Sequence, residues 1–569
     1  MAVQKKSEFL TTEDWWAIWI GFFLIILGLI IFLNQKPDGM DEAFSRANTI
    51  MLEESKKSPF KTVEWFIQND SKESIKATNE PIGEFLQNLT SKPRNWSSNP
   101  LHAFYLSDDA AKEKSMIAKE KYDMVALEAE QLKSAALESQ AIAARYSFED
   151  SDLNENARNN IESWRAAHRE SSAAKKKIPK SGYNNFLYIV VIAVFLAFVF
   201  GFGLRFMGLS YSEFIGGFFF ILFLAVISYL IEGQSVMKEY GLGYALWAIV
   251  IGLIISNTVG TPKWVMNAAQ TEYYIKTGLV LLGAEILFGK IIQIGLPGLM
   301  VAWIVTPVVI IGSFIFGKRV LKVASDKLNI TMSAAMSVCG VSAAIATAAA
   351  CKAKKEELTL AVGLSLIFTA IMMVLMPMFI KAVGMTEILG GAWMGGVIDS
   401  TGAVAAAGAF LGEKALYVSA TIKMIQNILI GVVAFFVAVY WALKMEQKED
   451  GTKPNAMEIW YRFPKFVIGF AVASILASVI ASIIGNDASY TLIDNGLLRG
   501  FTKNLRGWMF CLAFVSIGLS TNFKELSEQF SGGKPFILYI FGQSFNLFLT
   551  LLIAWLAFYI IFPHITELI

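Results

Sequence analysis

The sequence predicts an all-α fold: a polytopic bundle of membrane-spanning helices carrying a small, mostly helical soluble insert. Three observations predict it. Of the 569 residues, 55% are hydrophobic and only 17% charged, far from the mix of a water-soluble globular chain. Apolar runs of roughly 20 residues recur, and such runs must be helical, because a bilayer offers no water to satisfy backbone N–H and C=O groups. One long polar stretch, from Asn34 to about Lys180, interrupts them. The lipid bilayer is therefore the expected partner. A net charge of +2 gives neither basic nor acidic excess, so no nucleic-acid partner is expected.

Residues 1–33 form the N-terminal region and the first span. Its apolar run, Trp15 to Leu33, is too long for a signal-peptide core and carries no small-residue cleavage signature, so it reads as retained. Residues 34–182 are the soluble, partly helical insert. Within it, Ala111 to Arg145 is rich in Ala, Glu, Lys, Leu and Gln, the composition of a long solvated helix. Phe60, Trp65, Phe66, Phe85, Trp96 and Phe104 precede that stretch and are available to close a small core or to dock on the membrane part. Residues 183–210 hold the second span, and 211–569 a membrane domain. Its runs lie near 213–231, 243–257, 274–289, 296–317, 330–351, 358–380, 388–411, 418–443, 463–484, 503–520 and 536–561. The total is about thirteen spans on the roughly 20-residue criterion.

Orientation rests on Lys and Arg in short loops and helix flanks. With the N-terminus inside, the cytoplasmic loops carry Lys318, Arg319, Lys322 and Lys327, then Lys444, Lys448, Lys453, Arg462 and Lys465. This favours a multi-pass protein of the bacterial cytoplasmic (inner) membrane with the 34–182 insert on the outer face. Lys175, Lys176, Lys177 and Lys180 pull the other way.

Cys339, Cys351 and Cys511 lie in or beside apolar runs, which suggests packing and neither disulfides nor a zinc site. His102, His168 and His564 are far apart and outside the runs. No metal and no cofactor are expected. No phosphate-loop motif and no nucleophile–base pattern occurs, which argues against an ATP-driven pump and against an enzyme.

Two spans have small and hydroxyl residues where Leu, Ile and Phe would be usual. The first is Ser333 to Ala350, with Ser337-Val338-Cys339-Gly340-Val341-Ser342; the second is Gly395 to Gly408, with Asp399-Ser400-Thr401-Gly402. Close helix packing explains either segment alone. Two so near in sequence favour helices broken at the membrane midplane, whose freed N–H groups suit an anion and whose freed carbonyls suit a cation. Asp399 strengthens this reading, because a mid-membrane carboxylate is costly unless it meets a cavity or a partner. Lys276 and Lys423 are its candidate partners, with snorkelling to the interface as the alternative, and Gln426 and Asn427 share a helical face with Lys423. Glu285 reads as an interfacial residue.

Leu282-Gly283-Ala284-Glu285-Ile286-Leu287-Phe288 echoes Ile517-Gly518-Leu519-Ser520-Thr521-Asn522-Phe523. The two copies lie an odd number of spans apart, as in inverted-repeat transporters. Four segments, in order, resemble the YeiH-like sulfate exporter family from about Tyr211 to the C-terminus. They are Lys276-Thr277-Gly278-Leu279-Val280-Leu281-Leu282-Gly283, Ser337 to Ala343, Phe463-Pro464-Lys465-Phe466-Val467-Ile468-Gly469-Phe470 and Ser516 to Thr521. The resemblance implies a secondary transporter with the inverted-repeat fold of sodium/proton antiporters and bile-acid symporters, crossed interrupted helices at the substrate site, and a homodimer. Ser337, Cys339, Gly340 and Ser342 match the family motif. Where the family commonly has Ile-His-Asp-Val-Ala-Gln-Val, this chain has Ile398-Asp399-Ser400-Thr401-Gly402-Ala403-Val404, so the carboxylate is displaced by one position.

The expectation is an ion-coupled transporter of a small inorganic or organic anion, such as sulfate or a related sulfur oxyanion or sulfonate, working by alternating access. Ser337, Cys339, Gly340, Ser342, Ser400, Thr401, Lys423, Lys276, Gln426 and Asn427 form the substrate site. Asp399 is the coupling residue for H⁺ or Na⁺. The rival readings are a Na⁺/H⁺-type cation exchanger, and a membrane sensor or scaffold whose insert binds a partner.

Overall fold

A computed structural model describes residues 8–239, 243–285, 288–441, 464–522, 524 and 533–568. Among the described residues the regular backbone is helical apart from one antiparallel pair, β1 (Tyr105–Leu106) and β2 (Tyr183–Asn184). Among the described residues, 8 helices are long and apolar enough to cross a membrane, and Tyr244–Thr258 and Thr401–Leu411 are shorter apolar helices. Lys444, Lys448, Lys453, Arg462 and Phe463, and Ile286, Leu287 and Phe523 of the internal echo, lie outside the described residues. The chain divides into two compact units: one comprises 1–25, 193–479 and 505–569, the other 26–192 and 480–504. The division runs inside three apolar helices, so each unit keeps part of them.

In the insert-bearing unit, α1 (Glu13–Asn34) contributes its C-terminal half and leads to α2 (Met40–Lys57), α3 (Val63–Ser74) and α4 (Pro81–Leu89). The Ala/Glu/Lys-rich stretch forms α5 (Asp108–Arg145), which folds back along α6 (Ser151–Lys176). Ser107 starts α5 by accepting from the Ala110 N–H at 3.2 Å, and Asp150 starts α6 by accepting from Asp152 and Leu153. Between them Ser147 and Phe148 both adopt positive φ, 54° and 59°, which turns the chain. Val63, Ala136, Ile161 and Trp164 make the core, with Phe60 and Phe66 against it, whereas Phe85 is exposed.

In the larger unit the helices are α7 (Phe186–Phe206), shared with the other unit, α8 (Tyr211–Glu232), α9 (Tyr244–Thr258) and α10 (Thr271–Glu285). There follow α11 (Phe288–Arg319), α12 (Asp326–Ala335), α13 (Ser342–Ala350), α14 (Lys355–Ala382), α15 (Glu387–Val397), α16 (Thr401–Leu411) and α17 (Glu413–Tyr440). Further along the chain come α18 (Phe466–Ile484), α19 (Lys503–Ser520) and α20 (Gly533–Trp555). Helix α17 is the hub, packing on α11, α13, α15 and α16. Glycine makes this possible: a Cβ on Gly391 or Gly395 would stand 2.8 or 2.7 Å from the carbonyl oxygens of Ala415 and Ser419. Two helices approach this closely only where one lacks side chains.

Glu285, expected near the interface, is buried, and so is Lys423, for which snorkelling to the interface is the alternative. Glu285 accepts both Nε and Nη2 of Arg506 at 2.8 Å, with side-chain exposures of 4% and 6%. A bidentate pair of this kind holds both charges away from water without leaving either uncompensated. Lys423, at 1% exposure, does not snorkel.

Candidate functional site

Both small-residue spans are broken. Ser325 caps the start of α12 by accepting from the Leu328 N–H at 3.2 Å, and the helix ends at Ala335, six residues short of α13. Thr386 caps α15 in the same way, and Ile398 and Ser400 are extended, so the path between α15 and α16 runs through Asp399. The breaks meet: the Gly340 N–H donates to the Asp399 main-chain oxygen at 2.7 Å. Glycine is required there, since a Cβ would lie 1.7 Å from Ser365 Oγ and 2.7 Å from Ser365 Cβ.

Polar side chains from three other helices close on this crossing. The Asp399 carboxylate is buried and its Oδ2 accepts from Tyr539 Oη at 2.6 Å, Gln543 Nε2 at 2.9 Å and Ser365 Oγ at 3.4 Å. Lys423 donates to the Val338 carbonyl at 2.5 Å and to Gln426 Oε1 at 2.7 Å. Gln426 Nε2 lies 3.0 Å from both the Ser337 and the Gly396 carbonyl oxygens, so it ties one broken helix to the other. Asn427 Nδ2 donates to Thr401 Oγ1 at 3.0 Å, and Asn546 Nδ2 to the Met336 carbonyl at 3.0 Å. Every one of these bonds offsets the cost of holding a polar group in an apolar span.

Two helix N-termini, the Lys423 ammonium and the Asp399 carboxylate meet at one place. Helices α13 and α16 both begin at the crossing and neither is capped by the side chain of the residue before it, Val341 or Ser400, while the Ala343 N–H is taken by the Cys339 carbonyl at 3.0 Å. Their leading N–H groups are suited to a negative ligand. Lys423 has three N–H donors and two acceptors among the described residues, which leaves one donor direction unused. Val341 and Ser342, at the start of α13, are not covered by other parts of the chain.

The family model described as conserved hypothetical protein 698 matches residues 216–539, more than half of the chain, including both breaks and Tyr539. A UPF0324 membrane protein of Nitratidesulfovibrio vulgaris is 52% identical over 563 residues, covering 99% of this chain and 97% of the relative. The chain belongs to the UPF0324 membrane protein family. A second member, from Rhodopirellula baltica, is 57% identical over 374 residues, covering 65% of this chain and 68% of its own. One from Nitrosomonas europaea is 31% identical over 341 residues, covering 53% and 68%. No solved structure matches the chain. The full-length likeness to the first relative takes in the first span and the insert, beyond the family core.

This UPF0324 protein is an integral membrane protein, and it gathers most of the expected site residues at the crossing, in different roles. Gly340, Asp399, Lys423, Gln426, Asn427 and Thr401 are brought together. Ser337 takes part through its carbonyl; its hydroxyl donates to the Ser333 carbonyl at 2.6 Å and has no proton left for a ligand. Cys339 is buried, packs with Ile310, Ile330 and Leu429, and lies within electrostatic reach of Lys423 and Tyr539. Ser342 and Ser400 stand at the two N-termini.

Lys276 is elsewhere. Its ammonium contacts Glu13, Asp14 at 2.8 Å and Glu272 at 3.6 Å, and Asp14 also accepts from the Lys465 N–H at 2.7 Å. Lys276 therefore fastens the N-terminal end of α1 to α10, since three carboxylates outbid a distant one for a single ammonium. Sequence reasoning missed Tyr539, Gln543, Asn546, Ser365 and Thr306, whose hydroxyl accepts from Gln426 Nε2 at 3.3 Å and donates to the Ser337 carbonyl at 3.2 Å. A signal existed for the first three: Tyr539, Gln543, Asn546 and Thr550 recur at helical spacing along one face of an otherwise apolar span.

Proposed function

We propose that this UPF0324 protein is a secondary-active transporter of a small anion, of the sulfate, sulfur oxyanion or sulfonate class, working by alternating access at the helix crossing. The observation that carries this reading is the convergence of two uncapped half-helix N-termini with a buried lysine that keeps one donor unused. The N–H groups, the Ser342, Ser400 and Thr401 hydroxyls and the Lys423 ammonium would hold the anion, with no covalent chemistry and no cofactor. Asp399 would couple transport to H⁺ or Na⁺, because its charge lies beside the same crossing. A protonated or Na⁺-bound Asp399 leaves Lys423 free to balance an anion; an empty, ionised Asp399 opposes one. The inverted repeat, the approximately thirteen spans, the bacterial inner membrane and an outer insert belong to this reading. So does kinship with the YeiH-like exporters.

A second reading, a cation exchanger, draws on two oxygens at the same place. Among the described residues, Asn427 Oδ1 and Gln543 Oε1 are buried and have no hydrogen-bond partner. With Asp399 they supply the hard oxygen donors a Na⁺ ion takes. Thermal stabilisation of the purified protein by sulfate, sulfite, thiosulfate, taurine and small carboxylates, against Na⁺ across pH, separates the two, because a ligand of the folded state raises its stability. Stabilisation by an anion that is lost in Lys423→Ala supports the first reading. A Na⁺ or pH response alone, lost in Asp399→Asn, replaces it with the second.

A further inference from the structure

The insert carries a helical face that the proposed transport site does not use. Helix α5 packs on α6, and Ala111, Ala129, Ala136 and Ala143 on one side of it are buried. On its opposite side Met116, Ile117, Met124 and Leu127 are 63–68% exposed. At 100° per residue these four fall in one sector of the helix, so they form a stripe and not a scatter. Lys119, Glu120 and Asp123 line the same shallow groove with them.

The charges beside the stripe are ordered. Along one flank run Lys112, Lys119, Asp123 and Glu130, all exposed, with both bases N-terminal to both acids. Lys119 and Asp123 lie at equal distances either side of Lys121, and so do Lys112 and Glu130. The apolar stripe has nearly the same centre, with Met116 and Leu127 outermost and Ile117 and Met124 inside them.

We infer that this face of α5 docks a second copy of the same chain, antiparallel and related by a two-fold axis passing at Lys121. In that register Lys112 meets the second copy's Glu130 and Lys119 meets its Asp123, each pair occurring twice, and the four apolar residues face one another; Glu120 and Lys121, beside the axis, each come near their own copy, a smaller number of like-charge contacts than the four opposite-charge pairs. A parallel pairing would set Lys119 on Lys119 and Asp123 on Asp123, so the charge order selects the antiparallel form. The existing contacts of Lys112 with Asp109 at 3.9 Å and of Glu130 with Lys133 at 3.7 Å are exposed, within one helix and weak, and they yield to intermolecular partners.

The test uses the full chain in liposomes. Cys339, Cys351 and Cys511 are free and buried, so a cysteine introduced by Glu120→Cys, next to the axis, is the reactive thiol. Oxidation is expected to give a disulfide-linked dimer through that position. Reversal of the bases, K112E with K119E, is expected to reduce the dimer at least fivefold, and adding D123K and E130K to restore it, since the quadruple reversal recreates every pair. Absence of a Glu120→Cys dimer, or a dimer indifferent to charge reversal, overturns the proposal. So does a spin label at position 120 that reports lipid contact, which would make the stripe a membrane-surface face.

Discussion

The main-chain N–H of Gly340 lies 2.7 Å from the main-chain oxygen of Asp399, so the two broken helices are hydrogen-bonded to each other at their breaks. The bond consumes one donor and one acceptor that the breaks would otherwise leave bare, and it fixes the α13 and α16 N-termini side by side. The Asp399 side chain is turned the other way, toward Tyr539 and Gln543 on α20.

Gly340→Ala is expected to disturb this contact. The new methyl group meets Ser365, whose Oγ and Cβ would be 1.7 and 2.7 Å away, and overpacking of this kind costs about 1–3 kcal/mol. A lower melting temperature and weakened ligand stabilisation are predicted. Adding Ser365→Gly, which removes both atoms, should recover most of the loss; no recovery would mean that the glycine serves another purpose.

Lys423→Met removes the ammonium and leaves the Val338 carbonyl and Gln426 Oε1 unpaired, each at a cost of about 1–3 kcal/mol. Anion affinity should fall at least tenfold along with stability. Lys423→Arg, which keeps the charge on a bulkier group, should retain more anion affinity than Lys423→Met. Equal affinities in the two variants would remove the lysine charge from the account.

Breaking the Glu285–Arg506 pair has a different signature. Glu285→Ala strands a buried guanidinium, which costs about 3–5 kcal/mol, while the crossing is untouched. The melting temperature should drop sharply. The anion dissociation constant of the protein that stays folded should be unchanged, and calorimetric titration at low temperature distinguishes the two effects.

If H⁺ is the coupling ion, anion binding should tighten as pH falls, because the anion and the proton on Asp399 then favour each other. Asp399→Asn should flatten that dependence. A pH slope that survives in Asp399→Asn would place the coupling proton on another group.

Much of the site was legible in the sequence, for a physical reason: small and hydroxyl residues, a lone carboxylate and a lysine are all costly in mid-span, and cost marks function. The breaks at 336–341 and 398–400 followed from that signal. Lys276 satisfied the same criterion and is elsewhere, because its carboxylate partners Glu13 and Asp14 come from the first helix, distant in sequence. Glu285 and Arg506 were hard to pair for the same reason. Tyr539 and Gln543 share a polar stripe on α20, but nothing local ties that stripe to Asp399. Tertiary packing alone does so.

The central claim, ion-coupled anion movement through the crossing, is tested most directly by uptake of sulfate and its sulfur-oxyanion and sulfonate relatives into proteoliposomes under an imposed pH or Na⁺ gradient. The account predicts gradient-dependent uptake of at least one of these anions by the wild-type protein, loss of the gradient dependence in Asp399→Asn, and loss of uptake in Lys423→Met. Gradient-driven uptake that is unchanged in both variants, or Na⁺/H⁺ exchange with no anion movement, would contradict it.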